Sequence, residues 1–459
     1  MTIDDHSPEP STPDRRLVIV VRADPVICGH SGEARCLAEV ALTRGFDDVR
    51  IVTWPLDALE AAGLPLKPLD RVLPYSPGIT VERPGPVGDY RVPDGRYLSG
   101  LVGRLVELFS DGVPTVAMSL YLSPHAIAVQ EAVQVARRIG PARVITVAEA
   151  VGSDITNVVR ECVDTGRFGA AAHILSVYLA ADHCVAVSEY TRDLIVASAA
   201  TLDGVHGTTF AQQCRERIAI SYPAVDSWSY LSLTDDRIAE TLARRGLARD
   251  GYVLFLSRIA SAKGVDDLID AYAGSRSAER VPLVLAGRGP HEDAVVARVA
   301  AAGLGERVRV LTDVDDAEKP ALMAGSAAFV LPTREQPEFV ETFGIALVEK
   351  ALAGGGPVIT CATGGVPEAV GDTALLVPPH DPVTLRTVLD EVVCDWTGEQ
   401  RAEAERRARA YSVAVRSGRG VRPALRASRA ARRPCRLSST RRSRRSRAVR
   451  STPGRCAPG

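Results

Sequence analysis

Residues 338–372 read EFVETFGIALVEKALAGGGPVITCATGGVPEAVGD. Two glutamates, Glu341 and Glu349, stand eight residues apart, with Phe343 and Gly344 just after the first. Beyond Gly344, the residues Ile345, Leu347, Val348, Ala351 and Leu352 recur at helical spacing and share an apolar side. A helix starting at Gly344 places Glu349 within its first two turns and leaves Glu341 in the loop that feeds it. The backbone N–H groups near Thr342–Gly344 are then the unpaired donors of a helix start, which favour an anion. Ala-Gly-Gly-Gly-Pro stops the helix. Val358–Thr360 follows as a short apolar run, and a Gly364–Gly365 turn opens a second helix at Pro367–Glu368. A bare glutamate pair at this spacing reads equally as two solvated helix charges; the flanking pattern gives it weight.

Similar short apolar runs alternate with helical patterns along the chain. Leu17–Val21 (LVIVV) has the continuous apolarity of a buried parallel strand. A loop with Gly29 and Gly32 follows, then a helix over Glu33–Arg44 and a strand at Val49–Thr53, which is a βαβ opening. The loop GHSG lacks the GxGxxG fingerprint, so no nicotinamide site is read there. Past an irregular Pro/Gly-rich stretch at 62–95, helices are expected at 96–110 and 126–139, and strands at 114–119 and 143–148. A buried strand ends at Ser188, which caps a helix from Glu189. The second half repeats the alternation with strands at Tyr252–Leu256, Pro282–Ala286, Val308–Leu311 and Ala327–Leu331, and a helix at Val265–Tyr272. The whole is α/β. Arg258 and Lys263, five apart in the loop between a strand end and a helix start, are able to converge on one phosphate pair, Arg as a planar fork and Lys as a point charge. Two ordinary surface cations is the competing reading.

The Glu-x7-Glu spacing, the Phe-Gly after its first member and the downstream GG-x-PE resemble the retaining nucleotide-sugar glycosyltransferases of the GT-B type, family 4 (glycosyltransferase group 1). The segments 180–192 (AADHCVAVSEYTR) and 220–226 (ISYPAVD) strengthen the likeness, which covers about residues 17–412. It implies a GT-B fold: two Rossmann-like domains with an interdomain cleft. The expected division is a disordered start (1–16), an acceptor domain (17–226), a linking region (227–250), a nucleotide-sugar domain (251–412) and an Arg-rich non-globular tail (413–459).

In this resemblance Arg258 and Lys263 match the family's diphosphate-binding pair. Glu341 grips sugar hydroxyls with the Phe343 and Gly344 amides, and these three carry the catalytic assignment: Glu341, Arg258 and Lys263. Glu349 matches the residue that holds the ribose hydroxyls, and the loop around Thr312 the part that meets the base. Gly29 and Gly32 are the nearest match to two glycines facing the donor, or simply a tight turn. Arg288 either approaches the nucleotide or covers the surface. The family's histidine after the 143–148 strand is missing, since the segment is Val147-Ala148-Glu149-Ala150. His125, Glu149 and Asp154 are the acceptor-side candidates, each with a purely structural alternative. The loop from Pro332 to Glu341 is longer than usual and carries Glu335 and Glu338. The AGGGP segment has one extra residue. Both departures suggest a subfamily that glycosylates aminocyclitols in antibiotic biosynthesis, because an acidic loop suits a cationic acceptor.

Composition bounds the rest. At 459 residues the chain holds two ordinary domains. No run of about 18 apolar residues suggests a membrane span, and residues 1–16 lack the apolar core of a signal peptide. Nine cysteines form no CxxC and no His-paired cluster, which indicates thiols in a reducing compartment, with neither a disulfide scaffold nor a zinc site. A cytoplasmic enzyme with small-molecule donor and acceptor, no metal, no cofactor beyond its donor and no nucleic-acid partner is therefore expected. Asp266-Asp267 and Asp315-Asp316 read as helix-start charges, and not as metal ligands. The net charge of −1 hides an asymmetry. Residues 413–459 hold fifteen arginines and no acid or lysine, leaving −16 on the remainder. A reading-frame slip in GC-rich DNA produces such a texture; a basic arm for nucleic acid or a membrane surface is the alternative. Two other function classes compete: a two-domain epimerase, which would lack the Arg258/Lys263 pair or the glutamate spacing, and an inactive nucleotide-sugar-binding paralogue.

Overall fold

The computed structural model describes residues 13–22, 24–85, 93–152, 154–337 and 339–419. Two separate parallel sheets organise it. The first has seven strands: β1 (Arg16–Val20), β2 (Asp48–Val52), β3 (Ile79–Glu82), β4 (Thr115–Leu120), β5 (Val144–Ala150), β6 (His183–Ala186) and β7 (Ile218–Ile220). Their order is β3-β2-β1-β4-β5-β6-β7. The second has six: β8 (Val253–Leu256), β9 (Leu283–Ala286), β10 (Val308–Leu311), β11 (Ala328–Leu331), β12 (Val358–Cys361) and β13 (Leu375–Val377), in the order β10-β9-β8-β11-β12-β13. Central strands such as VLFL and AFVL are apolar throughout because helices cover both faces of each sheet. These are two Rossmann-like α/β units.

The apolar cores place the seam between the units earlier than residue 226. Tyr222, Val225, Tyr230, Ile238 and Leu242 all pack into the core of the second unit. The stretch at 227–250 forms two helices, Ser227–Leu231 and Asp235–Arg244, capped by Asp226 and Thr234. The first unit also begins sooner than expected. Although residues 1–12 lie outside the described set, the amides of Asp14 and Arg15 donate to Asp47, and β1 starts at Arg16. Arg16 is buried because its guanidinium pairs with Asp48 at 2.6 Å and Asp111 at 2.7 Å, and reaches the Leu108 carbonyl. At the other end, the helix Gly398–Arg419 runs past 412, and residues 420–459 lie outside the described set. This helix braces the second unit: Arg409 donates to the Ala353 carbonyl at 3.0 Å, and Tyr411 to the Glu368 carbonyl at 3.1 Å.

The Ala-Gly-Gly-Gly-Pro segment has a steric explanation. A Cβ on Gly356 would lie 1.8 Å from the Ala327 carbonyl oxygen, so the chain passes where no side chain fits. Just before it, Lys350 is 1% exposed and donates to the carbonyls of Met323 and Gly354, at 2.7 and 2.5 Å. This buried lysine closes the last turn of the helix Ile345–Ala353. Replacing Gly356 by Ala is expected to cost about 2–4 kcal/mol, because backbone must move to admit the methyl group. Chemical denaturation of the two proteins checks it, and an unchanged midpoint would refute the close approach.

Candidate active site

Each sheet reverses its winding between two central neighbours, and ligands of doubly wound sheets bind outside the carboxyl ends of such a pair. In the first unit the pair is β1 and β4; in the second it is β8 and β11. The loops after all four strands line one cleft of about 910 Å3. After β1 come Gly29, His30, Gly32 and Glu33; after β4, Tyr121 and His125. After β8 come Arg258 and Lys263; after β11, Glu341, Phe343 and Gly344. Residues far apart in sequence meet because adjacent parallel strands deliver them to the same edge.

Glu341 is the most constrained of these. Lys263 Nζ makes an ion pair with its carboxylate, and both side chains are only about one-eighth exposed, at 12% and 13%. The same ammonium sits 4.7 Å above the Phe339 ring. Its backbone is clamped as well. The Gly365 amide donates to the Glu341 carbonyl at 2.8 Å. Cβ atoms on Gly364 and Gly365 would come within 2.1 and 2.0 Å of the Glu341 and Thr342 carbonyl oxygens. The paired glycines are there because the loop lies directly on them. Thr342 then donates to the Val151 carbonyl of the first unit at 2.9 Å, and Phe343 stacks on Tyr222 with centroids 4.9 Å apart.

The cleft holds a ladder of ion pairs. Lys319 Nζ lies 2.7 Å from Glu349 Oε1, and Lys67 of the first unit lies 2.7 Å from Asp316 of the second. Burial works against the Lys319 charge, yet Glu349, Tyr230 and Asp316 hold its pKa well above the usual value. Arg258 differs from these. It lines the cleft and has no carboxylate partner among the described residues. Among the described residues, a lining guanidinium with no carboxylate ion pair stands beside a lysine paired with Glu341, an arrangement that suits an anion.

On the opposite wall His30, Tyr121 and His125 form an edge-to-face row, with centroid separations of 6.0 and 6.1 Å. His125 is 2% exposed; its Nδ1–H donates to the Leu120 carbonyl at 3.0 Å, which leaves Nε2 an acceptor without a partner. Burial lowers its pKa to about 4. Burial also lowers His30 to about 4, helped by the charges of Arg258 and Arg22.

Several sequence-read candidates take other positions. Gly29 and Gly32 lie in the first turn of the helix Gly29–Thr43, not in a preceding loop, because the helix begins four residues before Glu33. They still line the cleft, and a Cβ on Gly29 would come 2.9 Å from Ile345 Cδ1. Thr312 lines the cleft with Val314 and Asp315. Arg288 is exposed and lies outside the lining. Glu149 and Asp154 are buried and do not line the cleft either. Asp154 accepts the amides of Leu122, Val151 and Gly152, tying the ends of β4 and β5 together. Glu149 Oε2 has no hydrogen-bond partner, and burial with the nearby charges of Glu33 and Asp154 raises its pKa well above the carboxylate range. Glu335 is exposed and does not line the cleft, although Gln336, Phe339 and Glu341 of the same loop do; Glu338 lies outside the described residues. His30, Lys319 and Lys67 had no sequence signal: each becomes meaningful only through a partner brought by another strand.

Comparison with known proteins bears on the fold and on the second unit. Residues 241–411 match the family model described as glycosyl transferases group 1. The chain is 31% identical over 195 residues to D-rhamnosyltransferase WbpZ of Pseudomonas aeruginosa, covering 42% of this chain and 47% of that one. It is 33% identical over 196 residues to D-inositol 3-phosphate glycosyltransferase of Salinispora tropica, covering 39% of each. The matches thus span less than half the length of these relatives. The structure of Anabaena Alr3699/HepE in complex with UDP-glucose superposes with a TM-score of 0.63 at 18% identity, over 90% of this chain and 98% of that one. The fold is GT-B. Among the described residues no helix is long and apolar enough to cross a membrane, no three His, Cys, Asp or Glu group for a metal, and the described cysteines are free.

The buried imidazole gives a pH test. A histidine of the unfolded chain titrates near 6.5. As pH falls from about 6.5 towards 4, the unfolded chain takes up a proton that folded His125 refuses, so stability is present at neutral pH and lost across that window. The loss attributable to this group is at most about 3 kcal/mol. In His125→Gln the fall of the urea midpoint between pH 7 and 4.5 should be shallower; an identical slope would show that His125 is protonated in the folded protein.

Proposed function

We propose that this chain is a retaining, metal-independent glycosyltransferase that moves a sugar from a nucleoside diphosphate to a hydroxyl of a small acceptor. One observation carries the reading: Arg258, with no carboxylate ion pair among the described residues, and Lys263 leave β8 beside Glu341 from adjacent β11, all on one cleft shared by both units. Breaking the glycosidic phosphate bond places negative charge on the departing diphosphate. Arg258, Lys263 and the helix start at Gly344 supply positive charge there, doing the work a divalent cation would otherwise do. As the diphosphate takes Lys263 for a partner, a Glu341 oxygen is released to hold sugar hydroxyls and to steady the oxocarbenium-like ring. Glu349, held by Lys319, is placed to accept from ribose hydroxyls, with the backbone around Thr312 beside the base. His125 lines the cleft, and its buried Nε2 acceptor, which has no partner among the described residues, would suit a hydroxyl of the sugar or acceptor that reached it. The acceptor hydroxyl attacks from the leaving-group side, assisted by the departing phosphate, which gives retention.

The acceptor we propose is a small polyhydroxylated molecule, and an aminocyclitol of antibiotic biosynthesis is the specific candidate; Glu33 and Asp226 are the acids lining the cleft that would face its ammonium group. Unpaired thiols suit a cytoplasmic site of action.

Incubation of the purified protein with UDP- and GDP-sugars and cyclitol acceptors, read by mass spectrometry, should give transfer that survives EDTA. Glu341→Ala should lower kcat about a hundredfold or more, near 3 kcal/mol of transition-state stabilisation. Undiminished turnover, or dependence on added metal, would refute the assignment. Arg258→Ala and Lys263→Ala should each weaken UDP or GDP binding about tenfold by calorimetry, near 1.4 kcal/mol. Unchanged affinity in both would move the diphosphate elsewhere.

A further inference from the structure

The motif GG-x-PE ends in Glu368, which does not line the cleft and makes no ion pair among the described residues. Its carboxylate reaches into the first unit. Oε2 accepts the Glu189 amide at 2.8 Å, Oε1 accepts the Tyr190 amide at 2.8 Å, and the Tyr222 hydroxyl donates to Oε2 at 3.3 Å. Glu189 and Tyr190 open the 18-residue helix Glu189–His206. Of the amides a helix start leaves free, Thr191 is taken by the Ser188 hydroxyl at 3.0 Å, and Arg192 by the Ser188 carbonyl at 3.1 Å. The first two, Glu189 and Tyr190, donate to Glu368 of the other unit. The carboxylate also sits at the positive end of the helix dipole.

We infer that Glu368 is a positioning residue, an interdomain cap that fixes the register of the two cleft walls and thereby the placement of Glu341 against the first unit. The covalent path is short. Glu368 stands three residues after Gly365, whose amide holds the Glu341 carbonyl, and Tyr411 of the last helix holds the Glu368 carbonyl from behind. If the units part, two helix-start amides and a carboxylate lose their partners together, so the cap favours the closed arrangement. Glu368 lies outside the cleft, and its role as a cap does not depend on the transfer reaction; only its effect on turnover rests on the proposed function.

The test uses the full chain with Glu368→Ala, Glu368→Gln and, as a control on the same helix, Ser188→Ala. In Glu368→Ala, amide hydrogen exchange at Glu189 and Tyr190 should rise at least tenfold, and small-angle scattering should report a larger radius of gyration. UDP and GDP affinity, set within the second unit, should stay within about threefold, while kcat for transfer falls at least tenfold. Glu368→Gln keeps one acceptor oxygen and should fall between, which preserves the test if the alanine variant folds poorly. Ser188→Ala should loosen Thr191 without changing the radius of gyration. Unchanged exchange at Glu189 and Tyr190 would overturn the cap itself, whatever the reaction. Raised exchange with unchanged kcat would overturn its positioning role. Should wild-type protein show no transfer, the exchange and scattering results would still decide the cap, and only the proposed function would fail.

Discussion

The backbone of Glu341 and Thr342 is wedged between two surfaces that belong to different halves of the molecule. Beneath it lie Gly364 and Gly365, so close that neither tolerates a Cβ. Beyond it lies the first unit, met through the Thr342 hydroxyl, while the Phe343 ring stacks on Tyr222. Under the proposed reaction, a carboxylate that meets a sugar held by one unit and an acceptor presented by the other needs just such a support. Loops are usually mobile because nothing behind them is packed. Here the loop borrows rigidity from a turn, a helix start and an opposing wall, and its side chain is pinned by Lys263.

The electrostatics follow from that placement. Charges in a partly desolvated cleft are costly unless paired, and most cations here have carboxylate partners: Lys67 with Asp316, Lys319 with Glu349, Lys263 with Glu341. Arg258 and Arg22 both line the cleft without a carboxylate ion pair among the described residues, and both charges help keep His30 neutral. Under the proposed reaction, an incoming diphosphate meets the Arg258 guanidinium and a lysine that exchanges a carboxylate for phosphate. Exchange of one ion pair for another limits the desolvation cost of binding, which is the usual obstacle to burying a highly charged ligand.

The fold was legible because parallel strands buried on both faces write themselves as unbroken apolar runs; LVIVV, VLFL and AFVL could hardly be anything else. Helix starts were less legible. The helix after β1 begins at Gly29, since a glycine and a histidine with no capping side chain carry no start signal, and Cys28 offers no cap. Arg258, Lys263, Glu341 and Glu349 could be singled out because their spacing is local to two loops. Lys319 could not, because its partner lies 30 residues away on another helix. Glu149 and Asp154 misled for a related reason: acids at a strand's carboxyl end look like ligand groups, and only tertiary packing shows that Asp154 spends its oxygens on three amides. The AGGGP segment likewise reads as slack until Ala327 is seen against Gly356.

The distribution of similarity over the chain has a physical counterpart. The matched family segment, 241–411, is nearly coextensive with the second unit, which carries Arg258, Lys263, Glu341 and Glu349. Under the proposed reaction this half meets what all nucleotide sugars share, a ribose and a diphosphate, whose geometry leaves little freedom in the residues that bind it. The first unit meets whatever receives the sugar. Its wall presents His30, Tyr121 and His125, a row of neutral aromatic and imidazole edges whose buried acceptor, His125 Nε2, has no protein donor. An unpartnered acceptor in a buried wall discriminates strongly, because a ligand lacking the matching hydroxyl leaves it unpaired. Under the proposed reaction, donor chemistry is thus carried by the second unit, and acceptor choice by the first. The two are brought into register by contacts such as that of Glu368 with Glu189 and Tyr190, which lie outside the cleft altogether.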